Sequence, residues 1–210
     1  MSSRHEVIDA KQHYLDRLRA FEAERVQPGG IVLLGSSHFE WFETDRFLSR
    51  HRFVNRGIAS DRLGIGPRGI LHRIDVSVFD VHPAFIVFSN GVNDLGELWR
   101  TNEPPLETIC EAYERVIARI RDGAPAVPVL IVNELPTCGR FAGINPLVPP
   151  LNAHIVKVAE HHGCQHLDFF SEVVDATGGL RSELTWDGLH LNDAGYALFA
   201  ARLEAHLPPA

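Results

Sequence analysis

The chain has 210 residues, of which 45% are hydrophobic and 22% are charged. This composition is typical of a folded globular protein and excludes a disordered chain. The formal net charge is −7, which opposes binding to a phosphate backbone, so no nucleic acid is expected as a partner. A local run of arginines, interspersed with acids and glycines, is typical of a solvated face; it comprises positions 52, 56, 62, 68 and 73.

No stretch has the composition of a linker, so the sequence predicts one domain over residues 1–210, with residues 1–27 as a helix packed on its core. No apolar signal segment begins the chain, and no run of eighteen apolar residues could span a membrane. The three cysteines are widely spaced, which favours reduced thiols over a disulfide framework; they are Cys110, Cys138 and Cys164. We therefore expect a cytoplasmic protein.

Apolar periodicity predicts alternating helices and strands. A first helix over 5–24 places Ile8, Leu15, Leu18 and Phe21 at helical spacing. Short apolar runs predict five buried strands, at 31–34, 52–55, 85–88, 128–132 and 165–169. Further helices are expected at 105–121, 147–162 and 193–207. Since parallel strands need helical crossovers, this alternation predicts an α/β fold: a three-layer α/β/α sandwich around a five-stranded parallel sheet.

Polar groups follow several predicted strands, where parallel sheets bind ligands. They are Gly35-Ser36-Ser37, Asn55-Arg56-Gly57, the stretch from Ser89 to Asp94, and Trp186 to His190 near the C-terminus. Each alone is ordinary turn or capping chemistry. Together they supply a hydroxyl, a histidine, a carboxylate and hydrogen-bond donors, which are the parts needed for acyl transfer.

These residues resemble the SGNH or GDSL-type esterases and lipases, whose four blocks are matched in order. The matching blocks are Gly35-Ser36-Ser37, Asn55-Arg56-Gly57-Ile58, Gly91-Val92-Asn93-Asp94 and Asp187-Gly188-Leu189-His190. The resemblance implies a flavodoxin-like fold, Ser37 as nucleophile, His190 as general base and then acid, and Asp187 as its orienting carboxylate. It also implies an oxyanion hole made by the N–H groups of Ser37 and Gly57 and the side chain of Asn93.

One departure from that family leaves a choice open. Ser36 stands where the family usually has an aspartate, so either Ser36 or Ser37 could attack, and block position favours Ser37. The general layout resembles an acetylhydrolase branch. We therefore expect a serine esterase that hydrolyses short-chain, acetyl-type esters through an acyl-enzyme, with a small-molecule acyl ester as substrate and no cofactor. The alternative is a catalytically silent module of the same fold that binds carbohydrate or lipid.

The loops over 95–105 and 136–150 should border the site and contribute an acyl pocket formed by Leu98, Trp99, Phe141 and Ile144. An equally weighted interpretation is that these side chains close the core. The sequence is also compatible with a homodimer.

Two further motifs are interpreted as coincidental. Residues 64–69 match the dinucleotide fingerprint G-x-G-x-x-G, but they lie too far from the preceding strand and contain Pro67. The histidines at 161, 162 and 166 with Cys164 could ligate a metal, yet residues so close along a turning chain should point to different faces, so no metal is expected.

Overall fold

The computed structural model describes residues 9–209. Five strands form its sheet: β1 Ile31–Gly35, β2 Phe53–Gly57, β3 Phe85–Ser89, β4 Val129–Val132 and β5 Gln165–Leu167. The α-helices are α1 Ala10–Ala23, α2 Ser37–Glu40, α3 Thr44–Phe47, α4 Val92–Thr101, α5 Leu106–Gly123, α6 Val148–His161, α7 Phe170–Val173 and α8 Asp193–Glu204. Shorter helical segments are Ile70–His72, the π-turn Asp75–Phe79, Gly139–Leu147 and Ser182–Leu184.

All strand pairs are parallel, and their order across the sheet is β2-β1-β3-β4-β5. The predicted α/β class and five-stranded parallel sheet are confirmed. Gly35 at the end of β1 is in register with Gly57 on one side and Ser89 on the other. The carboxyl ends of the three strands are therefore level, so the segments that follow them leave the sheet at one edge.

Alternate residues of each strand enter two separate hydrophobic clusters, one on each face of the sheet. Val32, Leu34, Ile86 and Phe88 pack on the face covered by α5 and α6. The residues that alternate with them along β1 and β3 pack on the opposite face, which α2 and α8 cover. These residues are Ile31, Leu33, Phe85 and Val87. Helices on both faces of a parallel sheet account for strands that are apolar throughout.

The first helix runs from Ala10 to Ala23, within the 5–24 predicted. It begins at Ala10 because Asp9 caps it, accepting hydrogen bonds from the N–H groups of Lys11 and Gln12. Residues 5–8, with Ile8, lie outside the described residues. The buried side chains of α1 are Tyr14 and Phe21, whereas Leu15 is exposed.

Two other boundaries differ in ways that affect the site. Strand β2 runs to Gly57 rather than stopping at 55, so Arg56 and Gly57 belong to the strand and not to the segment after it. The predicted loop over 95–105 is largely α4, and the loop over 136–150 contains the helical segment Gly139–Leu147. Within residues 9–209, no helix combines the length and apolarity needed to cross a bilayer.

Candidate active site

The candidate site lies at the carboxyl edge of the sheet, where β1 and β3 diverge. Strand β1 has β2 on one side and β3 on the other, so chain connections leave β1 and β3 in opposite directions. This is the switch point at which doubly wound sheets bind ligands. Ser37 begins α2 directly after β1, and Asn93 lies in the first turn of α4 after β3.

Three side chains from remote parts of the sequence form a continuous chain of hydrogen bonds. His190 Nε2 lies 3.0 Å from Ser37 Oγ, and His190 Nδ1 lies 2.8 Å from Asp187 Oδ2. The structure gives Ser36 no comparable contact with His190. A carboxylate on Nδ1 fixes the tautomer whose Nε2 can accept a proton, so the geometry is that of a serine, base and orienting acid.

The loop between Thr185 and His190 holds the carboxylate and the imidazole in place. Asp187 Oδ1 accepts the N–H groups of Leu189 and His190 at 2.9 and 2.8 Å, which folds the loop around the carboxylate. Thr185 Oγ1 accepts the N–H of Gly188 at 2.9 Å and donates to the carbonyl of His190 at 2.6 Å. Gly188 has a φ of 93°, which favours glycine.

Aromatic rings confine the imidazole of His190. Its centroid lies 4.4 Å from that of Trp41 and 5.4 Å from that of Trp186, which is stacked at 18°. His38 lies 5.8 Å away on another side and contacts the carbonyl of Leu189 through Nε2 at 3.1 Å. These contacts limit rotation of the imidazole and leave the side chain only 14% exposed.

Burial controls the protonation of the site. Burial lowers the pKa of His190; Asp187 opposes this effect, and the nearby Arg140 reinforces it. Burial and the neighbouring His190 lower the pKa of His38 to about 4, so His38 is neutral at physiological pH. Burial raises the pKa of Asp187, but its hydrogen bonds from His190 and Leu189 outweigh this and lower it overall. The site therefore holds a neutral imidazole beside an ionised carboxylate.

The N–H of Gly57, which the sequence interpretation assigned to the oxyanion hole, already donates a hydrogen bond within the protein. The acceptor is Asn55 Oδ1, at 2.9 Å and within the same strand. A Cβ at this position would lie 2.2 Å from the backbone nitrogen of Glu40, so the glycine allows β2 to approach α2. The close approach, rather than a free donor, explains why a glycine occupies this position.

Ser60, three residues further on, has what Gly57 lacks: a backbone N–H that makes no hydrogen bond within the described residues. The φ of Ser60, 63°, is unusual for a residue other than glycine. Asn93 Nδ2 donates one hydrogen to the carbonyl of the adjacent Asp61 at 2.8 Å, which leaves its second hydrogen free.

Two buried side chains hold this edge of the sheet together. Arg73 is fully buried and pairs with Asp61 at 2.8 Å, while its other nitrogens donate to the carbonyls of Gly35 and Arg56. The carboxylate of Glu40 accepts the N–H of Ala59 and also pairs with His13 and Arg17 of α1. The segment before Ser37, the end of β2 and the segment around Ser60 are thereby tied to one another.

A cleft of about 410 Å³ opens beside Asn93 and Ser60. Of the four residues predicted to form the acyl pocket, Phe141 lines this cleft. Ile144 is buried in the core and Leu98 packs against it, so for these two the interpretation as core residues fits. Trp99 is 43% exposed and does not line the cleft.

The histidine-rich segment is arranged differently from the prediction. Ligand atoms of Glu114, His161 and His162 lie within 4.8 Å of one another, so the two histidines do not point to different faces. His162 Nε2 is 3.7 Å from Glu114 Oε1, which makes an ion pair across α5 and the end of α6 when the histidine is protonated. The cysteines Cys110, Cys138 and Cys164 are free thiols.

Several site residues were not identified from the sequence. Trp186 directly precedes Asp187, and Trp41 follows Ser37 by one helical turn, so their proximity along the chain was an available signal. Ser60 could have been found only by placing the end of β2 correctly. Arg73 and Asp61 gave no signal, because an arginine and an aspartate twelve residues apart are ordinary surface residues in most sequences.

Several solved structures share this fold. Among solved structures, a candidate platelet activating factor from Streptococcus pneumonia has a TM-score of 0.80 at 22% identity, over 95% of this chain and 92% of that one. A GDSL-like lipase from Bacteroides thetaiotaomicron has 0.76 at 20%, over 94% and 96%. An acetyl xylan esterase has 0.67 at 17%, over 85% and 100%. At these identities the likeness shows the fold.

Among curated proteins none matches this chain. The family model for the GDSL-like lipase/acylhydrolase family matches residues 40–198, which is most of the chain. The chain belongs to the GDSL-like lipase/acylhydrolase family, a family of hydrolases.

Proposed function

We propose that this protein is a serine esterase that hydrolyses short-chain, acetyl-type carboxylic esters through an acyl-enzyme. The observation that carries the proposal is the hydrogen-bonded chain from Ser37 Oγ through His190 to Asp187, at 3.0 and 2.8 Å. In the proposal Ser37 is the nucleophile, His190 the general base and then acid, and Asp187 the orienting carboxylate. The acetyl preference is supported by one structural neighbour, an acetyl xylan esterase.

In the first half of the reaction, Ser37 Oγ attacks the ester carbonyl while His190 Nε2 takes its proton. The resulting imidazolium lies beside the Asp187 carboxylate, which stabilises its charge. The tetrahedral intermediate then collapses. His190 returns the proton to the departing alcohol, and the acyl group stays on Ser37.

In the second half, His190 takes a proton from water, which attacks the acyl carbonyl. Collapse of the second intermediate breaks the bond to Ser37 Oγ, and His190 protonates that oxygen as the carboxylic acid leaves. Each proton moves through Nε2, so the neutral imidazole favoured by burial is the form that starts both halves.

For the oxyanion we propose the N–H groups of Ser37 and Ser60 and the free hydrogen of Asn93 Nδ2. Ser60 replaces Gly57, because the Gly57 N–H already donates to Asn55. Ser60 and Asn93 line the same cleft, and the bond from Asn93 to Asp61 links their two segments. Donors fixed in this way stabilise developing charge without reorganising.

The test compares two adjacent hydroxyls. Hydrolysis of para-nitrophenyl acetate should be lost in Ser37→Ala and retained in Ser36→Ala, because the imidazole contacts only Ser37 of the two. A series of longer nitrophenyl esters should show a falling kcat/KM with chain length. If Ser37→Ala turns over like the wild type, Ser37 is not the nucleophile and the proposal is wrong; if the folded wild type turns over none of these esters, the binding-module alternative gains weight.

A further inference from the structure

The cleft beside the proposed reaction centre is lined by cations, although the chain as a whole carries a net charge of −7. Its lining residues include Arg62, Arg68 and Arg100, together with Ser60 and Asn93. Arg140 lies at its rim, because its guanidinium is 4.7 Å from the ring of Phe141, which lines the cleft.

Within residues 9–209, acidic groups neutralise these arginines only in part. Asp61, the acid that lines the cleft, is already paired with the buried Arg73 at 2.8 Å. Glu97 is shared between Arg62 and Arg100, at 2.8 and 2.9 Å.

Arg68 and Arg140 make no ion pair within residues 9–209. The pKa of the exposed Asp9 is lowered by a hydrogen bond from the N–H of Gln12 and, to a lesser extent, by the nearby Arg68, which does not pair with it. The cleft therefore has a local excess of positive charge.

The segment that carries Arg68 is a closed, ordered loop, and it is the G-x-G-x-x-G motif at residues 64–69. The N–H of Ile70 donates to the carbonyl of Arg62 at 2.8 Å, which joins the two ends of the loop. His72 Nε2 lies 2.8 Å from the carbonyl of Gly66, and the hydroxyl of Tyr14 donates to the carbonyl of Gly69 at 3.2 Å.

Gly69 has a φ of 132°, and a Cβ there would lie 2.5 Å from the nitrogen of Gly64. Only glycine fits this crossing of the loop. The motif thus holds a guanidinium at the cleft wall.

We propose that the cleft binds the alcohol portion of the ester through an anionic group, a carboxylate or phosphate, that pairs with Arg68 and the neighbouring arginines. The inference rests on the proposed esterase function and specifies its substrate class. A volume of about 410 Å³ is far larger than an acetyl group requires, so the alcohol portion is the part that fills it. Guanidinium groups bind carboxylate and phosphate oxygens through paired hydrogen bonds.

Three acetyl esters that share one aromatic core test the proposal. They are para-acetoxyphenylacetate, its neutral carboxamide analogue para-acetoxyphenylacetamide, and para-acetoxyphenyl phosphate. For the wild-type chain, kcat/KM for at least one anionic ester should exceed that for the carboxamide by about tenfold, the effect of one charge-assisted contact. Whichever anionic ester has the larger kcat/KM identifies carboxylate or phosphate as the group recognised.

Arg68→Gln should remove most of this preference, so that the ratio of anionic to neutral kcat/KM falls by about tenfold. Arg50→Gln is the matched control: Arg50 is exposed, pairs with Glu204, and does not line the cleft, so the ratio should stay at its wild-type value. Added salt should also reduce the ratio in the wild type, because it screens exposed charges.

The outcomes separate the two proposals. Equal kcat/KM for all three esters, with turnover that depends on Ser37, would overturn the anion site and leave the esterase intact. An unchanged ratio in Arg68→Gln would also overturn it. No turnover of any of the three esters would overturn both proposals.

Discussion

At the scale of single residues, the proposed oxyanion donors belong to two kinds, one from a side chain and one from the backbone. Asn93 offers a side-chain hydrogen, whereas Ser60 offers a backbone N–H that any residue other than proline retains. A substitution can therefore remove the first donor and leave the second in place.

We expect Asn93→Ala to lower kcat for para-nitrophenyl acetate by about two to three orders of magnitude, the usual effect of losing one oxyanion donor. Ser60→Gly should keep kcat near the wild-type value, because glycine retains the N–H and accepts the left-handed φ of 63°. Steady-state kinetics of both variants provide the check. An Asn93→Ala variant with unchanged kcat would remove Asn93 from the site, and loss of kcat in Ser60→Gly would point to the Ser60 hydroxyl instead.

The pH dependence of kcat/KM tests a second prediction about single residues. In the proposed mechanism His190 acts as a base only when it is neutral, and burial lowers its pKa. The acidic limb of kcat/KM for a neutral ester should therefore have its midpoint below the ordinary histidine value of 6.5.

Since Arg140 contributes to that lowering, Arg140→Gln should move the midpoint to higher pH. Arg119→Gln, which removes an exposed arginine paired with Asp75, should leave it in place. A midpoint that moves to lower pH in Arg140→Gln contradicts this assignment.

At the scale of elements, the site depends on how the ends of β1 and β2 are joined to the segment that carries Ser60. Arg73 makes that connection: it pairs with Asp61 and donates to the carbonyls of Gly35 and Arg56. Both charges of the pair are almost fully buried, at 0% and 1% exposure of the side chains. Removing one partner leaves the other charge without compensation.

Arg73→Met should lower the free energy of unfolding by about 3–5 kcal/mol. The matched control is Arg119→Met, which breaks the exposed pair with Asp75 and should cost about 0–1 kcal/mol. Urea unfolding of both variants measures the difference. Adding Asp61→Asn to Arg73→Met should recover part of the loss, whereas equal costs for the two single variants would refute a structural role for the buried pair.

Element boundaries also explain what the sequence could not reveal. The prediction ended the second strand at 55 and therefore placed Arg56 and Gly57 in the segment after the strand, where ligands bind. Arg56 is instead buried, with its guanidinium 4.4 Å from the ring of Phe21 and paired with Glu24. A contact with a helix 32 residues away along the chain cannot be read from local composition.

At the scale of the whole molecule, the sequence was informative where the signal is local. Apolar runs of four to five residues identified β1, β3 and β4, because central strands covered on both faces are apolar throughout. The block around Asp187 and His190 could be recognised because its geometry is set by a single turn.

Features that depend on tertiary contact were not predictable. The arginines interpreted as one solvated face are divided by the fold: Arg56 and Arg73 are buried, while Arg62 and Arg68 line the cleft. Ile144 is likewise enclosed by the core rather than facing a substrate. The charge of the cleft is thus a property of the fold and not of the chain's net charge.

Covalent labelling with a fluorophosphonate, followed by mass spectrometry of the intact protein and its peptides, tests whether Ser37 is the nucleophile. We expect one adduct, on Ser37, which is absent in Ser37→Ala and retained in Ser36→Ala. An adduct on a residue other than Ser37, or no adduct on a folded chain, would contradict this role for Ser37.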